Sequence, residues 1–224
     1  MKRKECLTTG NVYHILNKSI AGYSIFSSER DYLRIKQMLR FFNIENKPFS
    51  RFSRFLERAD HQNKSFEELL SEEIINNNRL VRIIAYCIMP THFHLVLKQL
   101  QDDGVSKFTG DFSNSYTRYF NTKYKRKGCL WEDKFKNVSV VSDEQLLHLT
   151  RYIHLNPVTE NLVGSPEEWE HSSYLEYIKP DQITYPLCDF KKLLEITPSE
   201  YSQFVNDRAN YQRELAKIKK AVIE

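Results

Sequence analysis

Two histidines one residue apart, His92 and His94, stand in the run Met89-Pro90-Thr91-His92-Phe93-His94-Leu95-Val96-Leu97. The run ends one apolar stretch and begins another, so it reads as the junction of two neighbouring strands. Alternate side chains of a strand point to opposite faces. His92 and His94 then share one face, about 7 Å apart from twice the strand rise, while Phe93, Leu95 and Leu97 turn toward a core. Two imidazoles at that spacing can reach one metal ion. They can equally be satisfied polar residues on a half-exposed strand, and His-x-His alone does not decide.

A second set of residues lies further on. Ser142-Asp143-Glu144-Gln145 reads as a helix start, with a serine cap, acids in the first turn and a glutamine three positions after the cap. The expected helix runs to about Asn156 and is stopped by Pro157. Leu146, Leu149 and Ile153 form its buried stripe. His148, Tyr152 and Asn156, spaced by four, lie one above another along a different face. Tyr152 on that face is either a reactive phenol or a half-buried packing residue.

The elements that would position these residues follow from periodicity. Residues 11–19 alternate and read as a first strand. Tyr32, Ile35, Leu39 and Phe42 recur at helical spacing after Ser28, which predicts a helix over about 29–44. Residues 45–78 are polar and charged, with scattered phenylalanines and a Ser65–Glu68 capping box. They read as an insertion, and as a plain surface elaboration rather than a DNA-contacting flap. Leu80–Met89 is an apolar strand, and the histidine strand is its tight antiparallel neighbour. A helix over about 105–125, ended by Gly128, and a strand over 135–141 complete the order strand, helix, strand, strand, helix, strand. That order predicts an α+β fold: a ferredoxin-like, RRM-like antiparallel sheet with helices on one face and the 142–156 helix added. One domain over residues 1–178 and a C-terminal helical tail over 179–224 are expected. Thr197–Glu200 opens a helix in that tail.

Composition narrows the classes. The chain has 224 residues, 41% of them hydrophobic and 13% aromatic, which is globular rather than disordered. No apolar run approaches the roughly 18 residues of a membrane span, and the opening residues have no apolar signal core, so a cytoplasmic protein is expected. The four cysteines, Cys6, Cys87, Cys129 and Cys188, make no C-x-x-C pair and argue against a zinc ribbon or a disulfide scaffold. A net charge of +4 is only mildly basic. Its distribution says more: Lys123, Lys125, Arg126, Lys127, Lys134 and Lys136 are interleaved with Tyr124, Trp131 and Phe135. Charge for phosphates and rings for base stacking suit a single-stranded polynucleotide, although a solvated helix end would have the same composition.

Together these stretches resemble the HUH single-tyrosine transposases (IS200-like transposases), in particular the REP-associated tyrosine transposases. The resemblance rests on Tyr13-His14-Ile15, on Met89 to His94, on Gly128-Cys129-Leu130-Trp131-Glu132, on Tyr152-Ile153-His154-Leu155-Asn156-Pro157-Val158, and on Trp169 to Tyr174. It covers roughly residues 11–178, without the 45–78 insertion. It implies that His92 and His94 bind a divalent ion, with Asn156 in the place of the third ligand, and that Tyr152 is the nucleophile. His14, His148 and His154 receive no ligand role. It also implies magnesium or manganese, a hairpin-forming REP-like DNA partner, and a monomer or homodimer. Imidazoles suit zinc or manganese better than magnesium, and the sequence leaves the ion open.

The implied chemistry is coherent. A free phenol titrates near about 10 and is protonated at neutral pH, so attack on a phosphodiester needs help. A divalent ion on two imidazoles and an amide oxygen would polarise the scissile phosphate. Attack would leave a 5′-phosphotyrosine and a 3′-hydroxyl, dividing one hard step into two. The expected function is therefore a metal-dependent single-stranded DNA endonuclease and strand transferase, with Lys123, Lys125, Arg126, Lys127, Trp131, Lys134 and Lys136 holding the strand. Two rivals remain: a domesticated, non-catalytic hairpin-binding protein, and a phosphoesterase that uses water and leaves Tyr152 idle.

Overall fold

β1 (Val12–Lys18) alternates in burial: Tyr13 and Ile15 enter a core, and His14, Leu16 and Lys18 take the opposite face. It belongs to a computed structural model that describes residues 6–75 and 77–208. The lysine-rich end of the expected tail lies outside the described residues. α1 (Glu29–Phe42) follows, burying Tyr32, Ile35, Leu39 and Phe42 as its spacing requires. α2 (Phe52–His61) and α3 (Phe66–Ile75) occupy the inserted segment. The capping box is present at α3, where the Glu68 N–H donates to Ser65 Oγ at 3.2 Å and the Ser65 N–H to Glu68 Oε2 at 2.8 Å. Phe52, Phe55 and Phe66 pack with Phe41 and Phe42, so these phenylalanines are core residues that dock the insertion.

β2 (Val81–Met89) and β3 (His92–Gln99) form the central hairpin. α4 (Gly104–Lys123) then leads to β4 (Lys136–Val140). The sheet order is β2-β3-β1-β4, with every pair antiparallel. This is the expected ferredoxin-like arrangement. Gly104 begins α4 where any Cβ would lie 2.4 Å from the Leu80 carbonyl oxygen, so only glycine allows the approach. α1 and α4 cover one face, their side chains joining Ile15, Phe93, Leu95 and Leu97 in a first core. α5 (Asp143–Thr159) lies on the other face and helps build a second core with Ala85, Cys87, Met89 and Val96.

The second core extends into the segment expected as a tail. α6 (Tyr174–Ile178) and a helix over 198–208, α7, supply Tyr174, Tyr177, Tyr201 and Val205 to it, with Phe190 and Leu194 between them. A Thr197–Glu200 capping box opens α7, with the Glu200 N–H donating to Thr197 Oγ1 at 3.3 Å. No helix among the described residues is long and apolar enough to cross a membrane. All four cysteines are free thiols.

Two helix ends differ from their expected form. Pro157 does not stop α5, which continues to Thr159. A proline inside a helix removes one hydrogen bond, but here it falls in the last turn. Leu155 and Val158 are buried, and the Glu160 N–H reaches the Asn156 carbonyl at 2.9 Å. Packing holds that turn and keeps Asn156 in helical register. α4, in turn, ends ahead of Gly128. Lys125 takes the left-handed conformation at φ 51°, and the Arg126 N–H donates to the Asn121 carbonyl at 2.8 Å. With Lys125 N–H directed to the Thr122 carbonyl, this is a Schellman end carrying lysine where glycine is usual.

Candidate active site

The register of the sheet decides what faces what. His92 pairs with Lys18 and His94 with Leu16, while His14 pairs with Val96. Cross-strand partners share a face, and diagonal neighbours remain within reach of long side chains. His14 Nε2 therefore meets His94 Nδ1 at 2.9 Å, the two rings stacked with centroids 5.2 Å apart. His92 Nδ1 meets Thr91 Oγ1, also at 2.9 Å. The His92 and His94 rings stand almost perpendicular, with centroids 5.0 Å apart.

Both histidines are thus held through Nδ1. In the tautomer that donates from Nδ1, each Nε2 carries a free lone pair, the usual preparation of a metal-binding histidine. The imidazoles are neutral at neutral pH. Burial lowers His14 and His92 to about 4, with the charge of Lys18 adding to the effect at His92. His94 falls to about 2 through burial and then through His14, His92 and Lys18.

α5 supplies the other half. Ser142 caps it by accepting from the Gln145 N–H at 3.1 Å, and Gln145 Oε1 accepts from the Val141 N–H at 2.8 Å. The helix buries Leu146 and Ile153 against β2 and β3, which brings its next face over the histidines. Tyr152 is 51% exposed, and its ring stands edge-on to His94 at 5.9 Å and to His14 at 6.5 Å. Two turns on, Glu160 Oε1 lies 3.8 Å from His92 Nε2. Burial raises the Glu160 carboxyl above its usual range, with Lys18 opposing. Asn156 lies midway between Tyr152 and Glu160 on the same helix face. It is buried, and its Nδ2 has no hydrogen-bond partner.

These donors fit a divalent ion. Two neutral imidazoles offer Nε2, and the unpartnered Asn156 amide needs only a rotation about its terminal bond to exchange nitrogen for oxygen. Among the described residues no three His, Cys, Asp or Glu side chains gather as a metal cluster. The buried, unpartnered Asn156 amide is the group that the resemblance offers as the third donor.

The structure brings His92, His94 and Tyr152 together, sets Asn156 one turn from Tyr152 along α5, and leaves two other histidines apart. His148 is exposed and bonded to Arg151. His154 is fully buried between Tyr201 Oη at 2.6 Å and Ser173 Oγ at 2.7 Å, and burial lowers it to about 3. Sequence reasoning gave His14 no ligand role and passed over Lys18 and Glu160. The alternation of β1 already placed His14 and Lys18 on one face, but only the strand order puts that face beside His94. Glu160 lies past Pro157, where the helix was expected to have ended.

The basic stretch divides. Lys123 donates to both oxygens of the buried Asp31, at 2.8 and 2.9 Å. Arg126 ties the loop to Asn121 and to the Cys129 carbonyl. Trp131 packs among Phe26, Phe93 and Tyr116 and donates its N–H to the Ser113 carbonyl at 3.2 Å. All three of these side chains have partners within the fold. Lys125, Lys127, Lys134 and Lys136 are exposed. Lys136 pairs with Leu16 and so stands on the histidine face, one row from Lys18. The Trp169–Tyr174 segment staples β2: the Trp169 indole N–H donates to the Ile88 carbonyl, and His171 stacks on Tyr32 at 3.5 Å.

Comparison with known proteins gives a consistent result. Residues 54–156 match the family model for IS200-like transposases. The match begins inside α2 and so takes in most of the segment read as an insertion. A Haemophilus influenzae protein described as a putative REP-associated tyrosine transposase is 27% identical over 110 residues, or 44% of this chain. The match spans 61% of that relative's length. The solved structure of a REP-associated tyrosine transposase bound to a REP hairpin shares the fold, with a TM-score of 0.51 at 14% identity over 84% of this chain and 89% of that one. Motifs, fold and family match agree: residues 54–156 resemble the IS200-like transposases, and the fold is similar to that of a REP-associated tyrosine transposase.

Proposed function

We propose that this chain is a metal-dependent single-stranded DNA endonuclease and strand transferase that acts beside hairpin repeats through a covalent phosphotyrosine at Tyr152. The observation that carries the reading is the half-exposed Tyr152 ring standing against His94 and His14, with the free Nε2 edges of His92 and His94 beside it. About half of the Tyr152 surface is open to an incoming strand. Here the neighbouring β1–β4 surface is open: Lys18 and Lys136 are exposed, and Val138, paired with His14, is 54% exposed. A single strand crossing that surface would meet two lysines for its phosphates and present one phosphodiester to Tyr152.

In this reading Tyr152 Oη attacks the phosphorus, its proton passing to water. The Tyr152 oxygen–phosphorus bond forms and the bond from phosphorus to the 3′-oxygen breaks. The 5′-phosphate stays on the protein and a 3′-hydroxyl is released, which in the reverse direction rejoins a strand. His92, His94 and Asn156 would hold a magnesium or manganese ion that offsets charge on the phosphoryl oxygens. His14 and Thr91 fix the two imidazoles in the required tautomer.

The test is incubation with end-labelled hairpin DNA carrying single-stranded flanks, in manganese, followed by denaturing electrophoresis. A DNA–protein adduct present with the unmodified chain and lost in Tyr152→Phe and His92→Ala supports the reading. Cleavage that survives Tyr152→Phe without an adduct makes water the nucleophile. Tight binding without cleavage makes the protein a domesticated hairpin binder.

A further inference from the structure

The helical side of the sheet carries a cleft of about 830 Å³ between α1, α4 and the start of α2. Arg30 and Arg34 enter it from α1, Arg118 from α4, and Arg51 from the residue that precedes α2. No carboxylate lines it. Lys123 at its edge is neutralised by Asp31. None of the four arginines pairs with a carboxylate among the described residues. The Arg34 guanidinium lies over the Tyr119 ring at 4.7 Å and near the Phe52 ring at 5.3 Å, which anchors it as a flat fork inside the cleft. α2 starts at the rim with no side chain capping its N-terminus, adding the positive end of a 10-residue helix.

Four like charges gathered in one concave site repel one another unless an anion joins them. Guanidinium forks match phosphoryl oxygens in both geometry and charge. We propose that this cleft binds phosphate groups of a DNA backbone, on the face of the sheet opposite Tyr152. α1 and α4 pack on the first core and α5 on the second, so a strand cut at Tyr152 and a segment held here lie on different sides of the protein. The inference rests on the chain being a DNA-binding protein, and not on Tyr152 being its nucleophile. A free oligophosphate offers the same chemistry, and the experiment separates the two sources.

Fluorescence anisotropy with a labelled, flanked hairpin in EDTA, across a salt series, reads the binding without any cleavage. The variants are Arg51→Gln and the double Arg30→Gln/Arg118→Gln, with melting temperature checking the fold. We expect the double variant to bind about tenfold more weakly, and the slope of log affinity against log salt to fall by about 0.7 to 0.9 for each phosphate that is no longer neutralised. Unchanged affinity and slope in the arginine variants overturn the inference. Inorganic tripolyphosphate is titrated by calorimetry in parallel. If it binds the unmodified chain and not the double variant, while DNA binding is the same in both, the ligand is a free oligophosphate and the DNA assignment fails. An adduct at Tyr152 together with unchanged binding in the arginine variants removes this inference alone. Weakened binding in those variants with no adduct removes the nucleophile alone.

Discussion

Asp31 is a carboxylate with no solvent exposure on a helix that otherwise packs by apolar contact. It accepts from Lys123 Nζ at 2.8 and 2.9 Å, from Tyr119 Oη at 2.9 Å and from Ser28 Oγ at 2.8 Å. Replacing it by alanine breaks all of these at once. A fully buried pair broken on one side costs about 3–5 kcal/mol, chiefly because the remaining charge is stranded. Lys123 is not stranded, since its side chain keeps 29% exposure and can turn to water. The cost therefore falls below that range, at about 2 kcal/mol for the lost charge-assisted hydrogen bonds, which for a chain of this size lowers the melting temperature by about 4–8 °C.

The pH dependence carries a sign. Burial works to raise the Asp31 carboxyl, but Lys123, Ser28, Tyr119 and the Ser27 N–H outweigh it, and the group sits below its ordinary value. Its contribution is complete above the unfolded value of about 3.9 and is lost as pH falls through the lower folded value. Urea denaturation of the unmodified chain, Asp31→Ala and Asp31→Asn at neutral and acid pH measures both effects. Equal stabilities at neutral pH, or an identical acid response in Asp31→Asn, would refute the account and return Lys123 to the residues free to hold DNA.

Other outcomes follow from the same geometry. His14→Ala removes the partner of His94 Nδ1 and should weaken manganese binding about 10- to 100-fold, read by electron paramagnetic resonance, with little change in stability. Trp131→Ala should cost about 2–3 kcal/mol as a half-buried aromatic, whereas Lys134→Ala/Lys136→Ala should leave stability unchanged and flatten the salt dependence of DNA binding. His154 is buried neutral with its folded value near 3. Stability should therefore fall as pH drops below the unfolded value of about 6.5, by up to about 1.4 kcal/mol per pH unit until the folded value is reached. In His154→Ala that slope is reduced by its share, and denaturant titrations at several pH values check it.

Much of the fold was legible because each element satisfies a local rule. The alternation of β1, the i, i+3, i+4 stripe of α1 and the capping residues at 65, 142 and 197 all report backbone geometry directly. His92, His94 and Tyr152 were legible as types at a spacing, and the family resemblance joined them. What stayed hidden depends on contacts across the chain. His14 is an ordinary strand histidine until β1 lands beside β3. Lys123 and Trp131 look like a cation and a stacking ring until Asp31 and Phe93 claim them. Pro157 signals a helix end by local rules, but tertiary packing carries the last turn two residues further, and Glu160 comes with it.

The wide spacing of the site's parts along the chain has a kinetic consequence. His14 and His94 are 80 residues apart in sequence, and α5 comes later still in the chain, after the strand β4 that pairs with β1. Such non-local contacts form late and slowly in folding. His154 and Tyr201, a further 47 residues apart, close the layer that seats α5. A chain still emerging during synthesis therefore holds its histidines, its tyrosine and its bracing helix as separate pieces, none of which can act on DNA. Under the proposed function, competence to cut arrives in one step with the complete fold, so a truncated or unfolding copy loses its nuclease before it loses its charge.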